Sequence, residues 1–238
     1  MTAIRKSMAR KVDAILFDKD GTLFDFHATW SGWAADIIRD LSGGEAATMA
    51  RIASEIGFDL AVGQFRPESP MIAGTNREGA ECVARALPGR DVDEIEHLLM
   101  LSAAEAAPAP AVPLAELLGD FMADGLALGV MTNDTEYGAR RHLEHAGIET
   151  CFTFVAGFDS GHGAKPQPGP LLAFARQTGL APERIVMVGD STHDLRAGRA
   201  AGRQTVGVLT GTSLADELWP LADAVLPDIG HLPAWVAA

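Results

Sequence analysis

Short apolar runs alternate with helical periodicities through most of this chain, and three of the runs lead straight into polar side chains. Val12 to Phe17 runs into Asp18, Lys19 and Asp20; "ALGVMT" ends at Thr132, ahead of Asn133 and Asp134; "RIVMVG" runs into Asp190. Continuous apolar runs of this length suit strands buried on both faces, as in a parallel sheet covered by helices. Further strands are expected at "FTFVAG" and "TVGV". Between the runs lie helical patterns from Pro113 to about Asp124, Tyr137 to His145, Leu171 to Thr178 and Leu195 to Ala200. This alternation predicts an α/β fold, a doubly wound parallel sheet of Rossmann-like type. A chain of 238 residues holds such a core and a smaller lobe besides.

Residues 27–106 break the alternation. Trp30, Trp33, Ala34, Ile37 and Leu41 share one face of a helix that stops at Gly43 and Gly44. A second helix is expected from Glu45 to Ile56. Thr75 precedes Glu78, and Asp91 precedes Glu94, at the spacing of a capping box. No strand pattern is visible in the block, which therefore reads as an inserted all-helical cap. The proline-rich "AAPAPAVP", residues 106–113, reads as the linker back. The expected organisation is a discontinuous catalytic core, 11–26 and 107–238, with a cap at 27–106 and a flexible start over residues 1 to about 10.

Composition removes several classes. A net charge of −13 with no basic stripe argues against nucleic acid as a partner. No apolar stretch reaches the roughly 18 residues of a membrane span, and no apolar segment follows the basic N-terminal residues as a signal peptide requires. Cys82 and Cys151 are too few and too isolated for a disulfide framework or a zinc site, so a reducing, cytoplasmic setting is expected. No heptad specifies an oligomeric state.

In open α/β sheets, ligands sit outside the carboxyl ends of the strands, at the topological switch point. Asp18, Asp20, Thr132, Asp190 and, four residues on, Asp194 should therefore share one crevice. Several carboxylates in so small a volume call for a hard divalent cation, and Mg²⁺ fits an oxygen-only donor set with positions left for water and phosphate. Lys165, in "GAKPQPGP", offers a point charge for a phosphoryl oxygen, and Thr132 a hydroxyl for another. These are the parts of phosphoryl transfer, whose catalysis is mostly positioning and charge neutralisation.

The residues "DKDGT", "MTND", "AKPQP" and "GDSTHD" resemble, in order, the four motifs of the haloacid dehalogenase superfamily of phosphohydrolases, over nearly the whole chain. "GAKPQPGP" and "VGDSTHDLRAG" look most like its phosphoglycolate phosphatase branch. The resemblance implies a Mg²⁺-dependent hydrolase of a small phosphate ester, phosphoglycolate leading, with the insertion as a mobile cap. It makes Asp18 the nucleophile and Asp20 the acid and base. Mg²⁺ would be held by Asp18, the main-chain carbonyl of Asp20 and Asp190, with Asp194 a ligand or support. Thr132 and Lys165 would grip phosphoryl oxygens, and Gly21 and Thr22 would turn the loop and aim N–H groups at the phosphate. Asn133 is a candidate for substrate contact.

Neighbouring residues read more plainly. Strand alternation turns Lys19 away from the acids' face, into a structural role. His162 and His193 are not required by the mechanism. Trp30 and Trp33 read as cap core, and Arg66 and Arg77 as either solvated surface or partners of a substrate carboxylate. The alternatives to a phosphatase are a phosphomutase of the same superfamily or a non-catalytic phosphate- or metal-binding module. A carbon–halogen hydrolase fits less well, because that branch does not use the second acid supplied here by Asp20.

Overall fold

The structure, a computed structural model, describes residues 10–238, so the expected flexible start lies outside the described residues except for Arg10. Strand β1 (Ala14–Phe17) is followed by α1 (Phe26–Ser42), α2 (Ala46–Glu55), a hairpin of β2 (Phe58–Asp59) and β3 (Gln64–Phe65), then α3 (Pro70–Ala73), α4 (Asn76–Ala86) and α5 (Val92–Ala104). The second half alternates: α6 (Leu114–Ala123), β4 (Ala127–Met131), α7 (Glu136–His145), β5 (Phe154–Ala156), α8 (Gly169–Thr178), β6 (Ile185–Gly189), α9 (Thr192–Ala200) and β7 (Gln204–Val208). It closes with α10 (Ala215–Leu218), β8 (Ala224–Leu226) and α11 (Leu232–Ala237).

Six strands form one parallel sheet in the order β5-β4-β1-β6-β7-β8. The apolar runs have a simple cause. Along β1, Ile15 and Phe17 enter one apolar cluster while Ala14 and Leu16 enter another; along β6, Val186 and Val188 part from Ile185 and Met187 in the same way. Both faces of the sheet are covered, so the central strands β1, β4 and β6 are apolar throughout.

A third apolar cluster lies within residues 26–103 and belongs to the inserted lobe. Its helices begin where the capping signals stand. Thr75 and Glu78 exchange both bonds of a capping box, and the Asp91 carboxylate accepts from the N–H groups of Asp93 and Glu94. The lobe is not all helical, contrary to the sequence reading. The hairpin β2–β3 is closed by the Asp59 carboxylate, which accepts from the N–H groups of Ala61 and Val62. Its strands are two residues each, too short for alternation to register. The short α3, α10 and α11 and the partly exposed β8 likewise have no sequence counterpart above.

The chain leaves and re-enters the core at one point. Asp25 N–H donates to Ala109 C=O at 2.8 Å, and Ala111 N–H donates to Leu23 C=O at 2.9 Å. Among the described residues no helix is long and apolar enough to cross a membrane.

Candidate active site

Strands β4, β1 and β6 are neighbours, and their carboxyl ends deliver Thr132, Asp18 and Asp190 side by side. Asp18 N–H still donates to Val188 C=O at 2.8 Å, so the backbone of Asp18 is fixed by the sheet while its side chain projects beyond it. Asp194 comes from the first turn of α9. There it forms a capping box with Ser191, whose N–H and hydroxyl both donate to Asp194 Oδ2, at 3.0 and 2.7 Å.

Lys165 ties these acids together. Its ammonium donates to Asp18 Oδ1 at 2.6 Å and to Asp194 Oδ1 at 2.7 Å, and all three side chains are buried. Burial disfavours the Lys165 charge, but the facing Asp18 and Asp194 carboxylates outweigh it and hold the ammonium protonated. One ammonium does not balance the site. Burial and the neighbouring Asp194 charge push Asp18 up to about 7 against the pull of Lys165, and burial with the Asp18 charge drives Asp190 well above the ordinary carboxylate range.

Asp20 sits in a second network. Its Oδ1 accepts from the Trp30 indole N–H at 2.8 Å, and its Oδ2 lies 3.1 Å from the Lys19 ammonium. The expectation that Lys19 turns away from the acids is therefore wrong for Asp20. The chain leaves strand geometry at Asp18, so alternation no longer governs Lys19. Fully buried, Lys19 also donates to Asp134 Oδ2 at 2.8 Å and to His142 Nδ1 at 2.9 Å, and lies 5.2 Å from the centre of the Trp30 ring. Since Lys19 has only protons to give, His142 Nδ1 is the acceptor and its Nε2–H donates to Ala103 C=O at 2.8 Å. Burial and the adjacent Lys19 charge hold His142 down at about 4. Nothing in the sequence signals this histidine, because its partners lie on elements far apart in the chain.

Other expectations need correction. Gly21, at φ 76°, donates its N–H to Phe24 C=O at 2.7 Å and not toward the cavity. Its lack of a side chain matters for another reason: a Cβ would stand 2.5 Å from the Asp190 carboxyl. Among the described residues Thr22 is not part of the cavity lining, and its hydroxyl, to which the sequence assigns no role, is buried without a hydrogen-bond partner. Asn133 lines it, yet its amide is a strut: Oδ1 accepts from Lys165 N–H, and Nδ2 donates to Lys165 C=O and Ala73 C=O. Thr132 fits its expected place on the wall. Its Oγ1 accepts from Asp134 N–H at 3.0 Å, which leaves the hydroxyl proton free to point elsewhere.

The cavity, of about 90 Å³, lies between these residues and the inserted lobe. Trp30, Trp33 and His193 line it, although the sequence alone gave them no place there, whereas Arg66, Arg77 and His162 do not. Arg77 pairs with Asp93 and Glu96, and His162 stacks on Phe154.

The donor set suits a magnesium ion. One oxygen from each of Asp18, Asp190 and Asp194 lies within 4.8 Å of the other two. All three donors are carboxylates, and among the described residues the Asp190 side chain has no ion pair and no hydrogen bond to another side chain. The acids outnumber their single lysine, and a divalent cation supplies the charge this buried cluster lacks. The Asp20 carboxylate is turned away from the cluster, toward Lys19 and Trp30, so only its main chain remains available to a metal.

The model of the haloacid dehalogenase-like hydrolase family matches residues 12–202. Phosphoglycolate phosphatase of Escherichia coli (strain K12) is 36% identical over 116 residues, 49% of this chain and 44% of that protein, so the chain spans less than half the length of this curated relative. Among solved structures, CbbY from Rhodobacter sphaeroides in complex with phosphate superposes with a TM-score of 0.71 at 21% identity, covering 95% of this chain and all of that one. L-2-haloacid dehalogenase from Xanthobacter autotrophicus superposes with a TM-score of 0.62 at 19% identity, covering 94% and 98%. At these identities the two structures establish the fold.

Proposed function

The chain belongs to the haloacid dehalogenase-like hydrolase family, and from that premise we propose that it is a Mg²⁺-dependent phosphatase of small phosphomonoesters, working through an aspartyl phosphate on Asp18. The observation that carries this reading is the asymmetry of Asp18. Its Oδ1 is held by Lys165 at 2.6 Å, no hydrogen bond from another described residue engages Oδ2, and Asp18 lines the cavity.

Asp18 Oδ2 attacks phosphorus, and the bond from phosphorus to the leaving oxygen breaks. Asp20 gives its proton to that oxygen, releasing the alcohol. Water then attacks phosphorus, Asp20 takes the water's proton, and the bond to Asp18 breaks to release phosphate. Lys165 and the Thr132 hydroxyl steady phosphoryl oxygens through both halves. Asp18 and Asp190, with Asp194 and the Asp20 carbonyl in support, would hold Mg²⁺, which would supply positive charge against the acids and the phosphoryl group.

The second acid favours an ester over a carbon–halogen bond, because an alcohol leaves as a protonated group and a halide needs no proton. The lobe of residues 27–106 acts as the cap that excludes bulk water. Phosphoglycolate heads the compounds to test, since it gives the curated relatives their name. The primary assay is turnover of p-nitrophenyl phosphate with Mg²⁺, with EDTA, and with Mg²⁺ restored. Turnover is expected to vanish on chelation and to return. A rate indifferent to chelation overturns the metal assignment.

A further inference from the structure

Six side chains facing the catalytic acids across the cavity are apolar or aromatic: Phe26, Trp30, Trp33, Phe65, Met71 and Ile72. The aromatic ones are braced against each other, with Trp30 and Trp33 edge to face at 5.2 Å and Phe26 and Phe65 at 5.8 Å. Several side-chain donors on this side are already engaged. Trp33 Nε1–H donates to Ser102 Oγ, Asn76 Nδ2 to Glu96 C=O, and Thr75 is closed into its capping box with Glu78. Among the described residues the cavity wall contains no arginine and one lysine, Lys165, which is held between Asp18 and Asp194. His193 adds a single imidazole to the wall and no cationic fork.

We propose, resting on the phosphatase reading, that this cap face selects a phosphomonoester whose leaving alcohol is uncharged and apolar, of aryl or branched-alkyl type, and rejects one bearing a carboxylate. A buried carboxylate without a cationic partner is strongly disfavoured, whereas each methylene placed in an apolar pocket gains roughly 10-fold or more in selectivity. Phosphoglycolate, whose leaving group carries a carboxylate, is on this argument a poor substrate.

The test uses the whole protein with Mg²⁺ and two non-hydrolysable phosphonates, read by titration calorimetry. Benzylphosphonate mimics an aryl ester, and 3-phosphonopropionate mimics phosphoglycolate. Benzylphosphonate is expected to bind at least about 10-fold more tightly. Ile72→Lys, which sets a cation in the apolar wall, is expected to narrow or reverse that order. Equal affinities, the opposite order, or no binding of either compound to the unaltered protein overturns the proposal. Phosphate release from phenyl phosphate and phosphoglycolate is measured alongside. Absence of release from any ester defeats the phosphatase reading, whereas the binding order needs no turnover and stands or falls separately.

Discussion

The indole N–H of Trp30 donates to Oδ1 of Asp20 across 2.8 Å. A residue of the inserted lobe thus holds the acid that the proposed reaction uses to move protons, and Lys19 holds the other oxygen of the same carboxylate. Seating of the lobe and orientation of the acid are consequently one event.

Trp30→Phe keeps the aromatic packing and deletes this bond. A hydrogen bond to a charged group is worth about 1.5–3 kcal/mol, so kcat for p-nitrophenyl phosphate should fall about 10-fold or more with the circular dichroism spectrum unchanged. A kcat equal to that of the unaltered protein would separate the tryptophan from the chemistry.

Asp18→Asn should abolish turnover and, in EDTA, raise the melting temperature at pH 8. The sign follows from burial. With Asp18 pushed up to about 7 in the fold, the folded state binds more protons than the unfolded chain from about pH 4 to 7. The metal-free protein therefore loses stability as pH rises through that window. The asparagine carries no charge and escapes the loss, so the two melting curves should converge near pH 4. Phosphate release by this variant at the unaltered rate would refute the nucleophile.

Lys165→Met strands three buried carboxylates without their cation. Breaking a buried pair from one side costs about 3–5 kcal/mol, measurable as a lower urea midpoint. Activity should be lost as well. A midpoint unchanged in EDTA would show that the Lys165 contacts with Asp18 and Asp194 contribute little to stability.

His142 gives the opposite pH slope. Held at about 4 in the fold against an ordinary value of 6.5, it binds fewer protons folded than unfolded between those limits, so stability falls as pH falls. Between pH 7 and 5 the loss spans about 1.5 pH units below the ordinary value, or roughly 2 kcal/mol. His142→Gln should flatten this part of the urea-midpoint profile. An identical slope in the variant would place the acid lability elsewhere.

The sheet was legible because both its faces are buried, so β1, β4 and β6 show as unbroken apolar runs that end where their side chains become polar. The acids Asp18, Asp190 and Asp194 and the lysine between them follow from that placement, since neighbouring parallel strands must bring their carboxyl ends together. The Lys19 cluster was not legible. It depends on a helix register in α7 and on the backbone leaving the strand at Asp18, neither of which carries a local pattern. The hydrogen bonds of Gly21 and Asn133 to neighbouring loop residues carry no local pattern either. Motif spacing locates a residue near the crevice without saying whether its amide groups face a ligand or another loop.

The hydrogen bond from Asp25 to Ala109 sets the two crossings of the chain side by side. Residues 26–108 therefore hang from the core as a detachable module with adjoining ends. Replacing this module would leave the strands of the sheet in place but would remove the Trp30 bond to Asp20 and the Ala103 carbonyl that accepts from His142. Specificity in this architecture is open to replacement wholesale, while the acids at the strand tips stay where the sheet puts them.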